Sequence, residues 1–267
     1  MTTANRYQGR VRTDWTDHDW ELVETGPLQP MEHMALDQVL LDEVAAGRRS
    51  PTLRFWEWAT PAVVIGTFQS VRNEVDHEAA TRHGVEVVRR ISGGGAMFVE
   101  PGNSITYSIY APKSLIAGMT FSEGYAAMDA FVLSALADLG IRAWYEPLND
   151  IASDAGKIAG AAQAHRQSAV LHHVTMAYNI DVDRLMQVLR VGREKMSDKG
   201  TKSAAKRVDP MRRQTGLPRD TIIERMVDTF RRRHGLRDGA VSDHEWALAT
   251  QLITDKFATD AWRYKVP

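Results

Sequence analysis

The run Arg89-Arg90-Ile91-Ser92-Gly93-Gly94-Gly95-Ala96-Met97-Phe98 sets two guanidinium groups at the end of an apolar stretch (Val85, Val87, Val88) and three glycines directly behind them. Glycine reaches backbone angles closed to other residues and lets a ligand approach the main chain. Bare N–H groups in such a loop make a concave anion site. An adjacent arginine adds a permanently charged planar fork for carboxylate or phosphate. The run therefore reads as a strand–loop–strand cradle for an anionic ligand, against the plainer alternative of a tight turn with two solvated arginines.

Further groups lie downstream. Asn149-Asp150 precedes Gly156-Lys157-Ile158-Ala159-Gly160-Ala161-Ala162, in which a lone lysine stands among small residues. Small neighbours leave room for a ligand against the strand, and a lysine there can bring a point charge to a carboxylate and a phosphate. Asp150 is a candidate Mg²⁺ ligand, since that ion takes one or two carboxylates plus phosphate oxygens. His172 and His173 are adjacent on an expected strand, so they face opposite sides. One core and one exposed histidine is the favoured reading over a metal site. Glu100-Pro101-Gly102-Asn103 is a turn, with Asn103 placed to reach back to the glycines.

Composition limits the alternatives. The 267 residues suffice for one large domain, and 43% hydrophobic with 25% charged content is ordinary for a globular chain. Lys+Arg is 33 against Asp+Glu 34, so the whole chain carries no basic excess pointing to nucleic acid. With no cysteine, disulfides, thiolate metal sites and a cysteine nucleophile are excluded. The expected location is cytoplasmic. The N-terminus lacks a signal-type apolar core, and no apolar run approaches the roughly 20 residues of a membrane span. Residues 190–219 hold ten Lys/Arg against three Asp/Glu, by default a solvated surface and otherwise a dock for an acidic partner. Trp56, Trp58 and Trp246 read as packing residues.

The elements that must position these groups follow from spacing. Leu36, Val39, Leu40 and Val44 predict a helix over 31–46. Residues 52–58, 62–66, 85–90, 96–99, 104–110 and 142–146 read as strands, with a short helix from Glu74 to His83. Met128, Phe131, Val132, Leu136 and Leu139 predict a helix over 122–139, stopped by Gly140. Strands at 157–163 and 168–180 form a hairpin turning near 165–167. In the helical last third, Thr221 and Glu224 read as a capping box and Ile222, Ile223, Met226, Val227 and Phe230 as an apolar stripe. Strands and helices mix without strict alternation, which favours an α+β or mixed-sheet fold.

The motifs resemble those of lipoate–protein ligases of the biotin/lipoate ligase superfamily. The similarity rests on Arg89 through Phe98 with Gly102-Asn103, on Asn149-Asp150 with Gly156 to Gly160, and on His172-His173-Val174-Thr175. Lys206-Arg207-Val208 and the terminal Ala261-Trp262-Arg263-Tyr264 extend it over roughly 20–267, behind a polar segment 1–19. Val174 stands where glycine is usual, Val99 where histidine is common and Glu100 where aspartate is common.

The resemblance implies an α+β catalytic domain with mixed, largely antiparallel sheets packed with helices. It also implies activation of lipoate by Mg²⁺ and ATP to lipoyl-AMP, with lipoyl transfer to a lysine of a lipoyl acceptor domain in a 2-oxoacid dehydrogenase complex or a glycine-cleavage protein. Lys157 and Arg90 would be catalytic. Gly93, Gly94, Gly95, Ala96, Met97, Phe98, Asn103, Asn149, Asp150 and Lys157 would hold the nucleotide, with Asp150 on the metal. Arg90, Gly95, Lys157, His173 and Thr175 would contact the acyl substrate, and apolar residues of the early strands would line its tunnel.

The alternatives are an octanoyl or lipoyl acyltransferase of the superfamily, or a non-catalytic acyl-binding relative. Transferase members carry the acyl group on a cysteine, so the cysteine count favours the ligase. The catalytic-domain ending at Trp262-Arg263-Tyr264 implies that the accessory domain of many members is missing. A separate small accessory protein would replace it unless the chain is self-sufficient, which the long charged stretch 190–219 favours.

Overall fold

Eight strands hydrogen-bond into one sheet in the order β11-β1-β2-β6-β10-β9-β8-β7. They are β1 (Glu21–Leu28), β2 (Thr52–Trp58), β6 (Ser104–Pro112), β7 (Ala143–Glu146), β8 (Asp150–Ser153), β9 (Gly156–His165), β10 (Ala169–Ala177) and β11 (Arg237–Gly239). A second sheet, β4-β3-β5, is formed by β3 (Ala62–Ile65), β4 (Glu86–Arg89) and β5 (Met97–Val99). The computed structural model describes residues 13–190 and 208–266. Pairing is antiparallel except for β1 with β11 and β2, and β3 with β4. The expected α+β class is therefore the observed one, and residues 165–169 turn the β9–β10 hairpin.

Four long helices cover the sheets: α1 (Pro30–Ala45), α2 (Phe121–Asp138), α3 (Arg219–His234) and α4 (Asp243–Leu252). The expected stripes are the buried ones. Met128, Phe131 and Leu136 of α2 join Ile222, Met226 and Phe230 of α3 in one core with Phe55, Tyr107 and Val174. On the opposite face, α1 packs Leu36 and Val39 against Trp56 and Trp58, and Leu40 and Leu41 against Leu171. The large sheet is thus sandwiched between α1 and the α2–α3 pair, and alternate residues of β10 address different helices.

Three local expectations need correction. Helix α3 starts at Arg219 with Pro218 as its cap, so Thr221 and Glu224 form no capping box; the helix begins three residues earlier than expected. The helix expected over Glu74–His83 is two pieces, Val71–Glu74 and His77–Arg82, because Asp76 caps the second by accepting from the Ala79 amide. Neither His172 nor His173 is exposed: each is buried and bonded to a carboxylate from the helix on its own side. Most of the basic stretch, residues 191–207 with Lys206 and Arg207, lies outside the described residues.

Several histidines are folded as neutral rings. His33 stacks on Trp56, takes a hydrogen bond from Arg54 at Nδ1 (2.7 Å) and donates from Nε2 to the Glu57 carbonyl (2.8 Å). Burial pushes its pKa well below the usual value, and burial also lowers that of His173. Burial pushes His234 down to about 4. The unfolded chain takes up these protons first, near the ordinary pKa of about 6.5, so stability is present above that pH and lost below it. The melting temperature should fall by at least about 3 °C between pH 7 and pH 5.5, the shift of about 1 kcal/mol in a domain of this size. Carboxylates titrate lower, so a flat melting temperature over that window would contradict the neutral-histidine core.

Candidate active site

The glycine loop is built by Arg90. Its side chain is buried and points back under the loop. Nε donates to Ser92 Oγ (2.9 Å), one terminal nitrogen to the Val64 carbonyl (3.1 Å), and the other to the carbonyls of Gly93 (2.6 Å) and Gly95 (2.8 Å). Burial lowers its pKa to about 10, which leaves it charged at neutral pH. With two carbonyls drawn to the guanidinium, the peptide units are fixed. Among the described residues, the N–H groups of Gly93, Gly94 and Gly95 meet no backbone acceptor. Gly94 has φ of 90°, a conformation that demands glycine. Gly66 lies beneath the loop, and a Cβ there would overlap the Gly94 carbonyl oxygen.

Arg89 does different work. It donates to the carbonyls of Gln69 (2.7 Å) and Gly66 (3.0 Å) and to those of Arg263 (2.7 Å) and Val266 (3.2 Å) near the C-terminus. Trp262 Nε1 answers by donating to the Arg89 carbonyl (2.9 Å). The first arginine thus clamps the terminal segment behind the loop and is no ligand group.

The facing wall is β9. Lys157 is part-exposed and its Nζ lies 2.7 Å from Asp150 Oδ1. Gly160 gives the ammonium its space, since a Cβ there would come within 3.0 Å of Nζ. Asn149 fastens β8's approach to β9 through mutual bonds with Ala161 (2.6 and 2.8 Å). Between these walls lies a cavity of about 230 Å³ lined by Arg90, Gly95 to Phe98, Asn149, Lys157 to Ala162, His173 and Thr175. Trp56 and Thr106 also line it, with Ala177, Ile180, Leu185, Leu189 and Val208. An engineered cavity of about 150 Å³ holds benzene, so this volume admits a small apolar group.

Most of the expected site residues meet at this cavity. Gly93 and Gly94 lie outside its lining, as do Asn103 and Asp150. Asn103 is away from the lining: its amide donates to Glu100 (2.9 Å) and its carbonyl receives the amides of Tyr178 and Asn179. Glu100 is held in turn by Arg184. Arg90 and His173 contribute to the wall, yet their polar atoms are bonded to protein. Asp150 faces Lys157, and among the described residues no three His, Asp or Glu side chains cluster as metal ligands. The tunnel wall, expected from early strands, comes largely from β9, β10 and residues 180–189. The deep wall residues Trp56 and Thr106 were missed because their spacing signals only strand.

The fold and this lysine–glycine pocket define an acyl-handling catalytic domain. Residues 29–231 match the model of the lipoyl protein ligase A/B catalytic domain, and the chain belongs to that family of protein-modifying enzymes. It is similar to the octanoyltransferase LipM of Geobacillus kaustophilus (27% identity over 92% of this chain and 98% of the relative) and of Exiguobacterium (28% over 94% and 99%). Among solved structures it resembles the bipartite lipoate protein ligase of Thermoplasma acidophilum, studied with its E2 lipoyl domain (TM-score 0.79, 27% identity, 94% of this chain and 98% of that one). It also resembles a lipoate-protein ligase A bound with ATP (TM-score 0.79, 26% identity, 94% and 99%). It also resembles a Thermoplasma acidophilum protein described as a lipoate protein ligase, with bound lipoic acid (TM-score 0.76, 25% identity, 92% and 99%). The octanoyltransferase relatives overturn the expectation of an ATP-dependent lipoate ligase and favour the acyltransferase alternative. The absence of cysteine had pointed the other way, towards the ligase.

The Arg90 fork makes a direct prediction. Arg90→Lys keeps the charge but loses the planar fork and most of its four hydrogen bonds, at about 0.5–1.5 kcal/mol each. Denaturant unfolding should show a loss of at least about 2 kcal/mol, and octanoate binding should weaken. Unchanged values for both would refute Arg90's role as loop organiser.

Proposed function

We propose that this chain transfers a medium-chain acyl group, octanoyl foremost, from an activated acyl ester to the ε-amine of a lysine on a lipoyl acceptor domain. The observation that carries the reading is the pairing of Lys157 with the glycine loop across the mouth of an apolar cavity. The octanoyltransferase relatives and the Thermoplasma ligase studied with its lipoyl domain support the choice of acyl group and acceptor. Acceptors of this kind are carried by 2-oxoacid dehydrogenase complexes and the glycine-cleavage system.

The chemistry follows from the walls. The acyl chain occupies the cavity and its carbonyl stands at the mouth. The neutral amine attacks the carbonyl carbon, and negative charge develops on oxygen. The Lys157 ammonium, oriented by Asp150, and the free loop amides stabilise that charge. The C–S bond of a thioester donor then breaks; the amine's proton leaves and the departing thiolate is protonated. Products are an amide and a free thiol. The chain has no cysteine, so the acyl group passes directly between substrates held together, a positioning task.

The test incubates purified chain with octanoyl thioester and an isolated lipoyl domain, without nucleotide, and follows the domain by intact mass. Gain of one octanoyl group is expected. Modification obtained from free octanoate with Mg·ATP but not from the thioester would overturn the reading. Lys157→Ala should lower the transfer rate about 10²–10³-fold, the usual effect of one oxyanion-stabilising group. A rate within threefold of the unsubstituted chain would remove Lys157 from this role.

A further inference from the structure

A second set of polar groups runs behind the cavity wall. His173 Nδ1 lies 2.7 Å from Asp37 Oδ2, and His173 Nε2 lies 2.6 Å from Ser92 Oγ. All three side chains are at least nine-tenths buried. A carboxylate only accepts, so Nδ1 carries the ring proton. Burial lowers the pKa of His173, which keeps the ring neutral and leaves Nε2 as an acceptor for the Ser92 hydroxyl. Ser92 in turn accepts from Arg90 Nε, and Arg90 holds the Gly93 and Gly95 carbonyls. The result is one directed chain from helix α1 to the glycine loop.

We propose that Asp37, His173 and Ser92 are a positioning relay that sets the glycine loop for binding the acyl carbonyl; its catalytic consequence rests on the acyl-transfer reading. Asp37 fixes the histidine tautomer, the tautomer fixes which way the Ser92 hydroxyl donates, and that leaves a serine lone pair for Arg90. If Nε2 carried the proton, Ser92 would have to accept from both His173 and Arg90, and its own hydroxyl hydrogen would lose its partner. Ser92 is absent from the cavity lining, so it acts through the loop and not as a nucleophile. The charged and titratable groups around His173 are consistent with a fixed neutral ring. Arg90 lies on the loop side, His172 is its strand neighbour, and Arg54 from β2 (3.9 Å) and Tyr110 from β6 (2.5 Å) reach Asp37.

Asp37→Asn tests the relay without emptying the site. Asp37 Oδ1 accepts from Ser108 (2.9 Å) and Tyr110, and only Oδ2 faces His173. An asparagine carbonyl can keep the first two bonds while its NH₂ donates to Nδ1, forcing the proton to Nε2. Ring ¹⁵N shifts should show His173 as the Nδ1–H tautomer in the parent chain and Nε2–H in the variant. Asp37→Asn and Ser92→Ala should each weaken octanoate binding and lower kcat for acyl transfer by about tenfold or more, the size of one lost polar contact. The double variant should be no worse than the poorer single, as members of one network are not additive. Ser92→Thr, which keeps the hydroxyl, should restore both readouts.

An Nε2–H tautomer in the parent chain, additive losses, or Ser92→Thr as impaired as Ser92→Ala would overturn the relay. Should the parent chain transfer no acyl group while octanoate binding shows the non-additive pattern, the relay's binding role stands and the acyl-transfer reading fails.

Discussion

A single buried carboxylate, Asp37, ties helix, sheet and site together. It sits on the inward face of α1, accepts from Ser108 and Tyr110 of β6 and from His173 of β10, and lies 3.9 Å from an Arg54 nitrogen. A buried charge without such partners would cost several kcal/mol. The surrounding donors are equally committed: without Asp37, two hydroxyl hydrogens and an imidazole N–H would be buried without an acceptor. This mutual requirement fixes the height of α1 over strands β6 and β10. Those strands carry His173 and Thr175 of the cavity wall, and Thr106 opposite. Specification of the site therefore begins in the interface between α1 and the sheet, one layer away from any ligand.

The paired arginines show how adjacent residues of one type divide labour. On a strand, neighbours face opposite ways. Arg89 turns toward the C-terminal segment and gathers carbonyls from both sides of it, while Arg90 turns under the glycine loop. Both are surrounded by main-chain carbonyls, which can satisfy a guanidinium without a counter-charge. The cation left for a ligand at the cavity mouth, among the described residues, is Lys157, on a flexible stem with Gly160 beside it.

The sequence made some features legible because each has a local cause. Helical spacing located α1, α2 and α3, glycine chemistry located the loop, and a lysine among small residues located the facing wall. The resemblance added that these belong to one site. What sequence spacing could not provide was partnership across the fold. Asp37 and Asp129 are acidic residues at helix positions that the structure buries, an anomaly visible in the sequence. Only the packing shows that each meets one of the paired histidines, His173 and His172 respectively. The same reasoning applies to Asn103, whose nearness in sequence to the glycines suggested a shared ligand. A turn held by Glu100 and residues 178–179 takes it elsewhere.

On the proposed acyl-transfer reading, a chain without cysteine implies a transfer with no cysteine-bound intermediate. Initial-rate kinetics address this most directly. With octanoyl thioester and lipoyl domain varied against one another, direct transfer within a ternary complex predicts double-reciprocal lines that intersect. Parallel lines, the signature of an acyl group first parked on the protein, would contradict it.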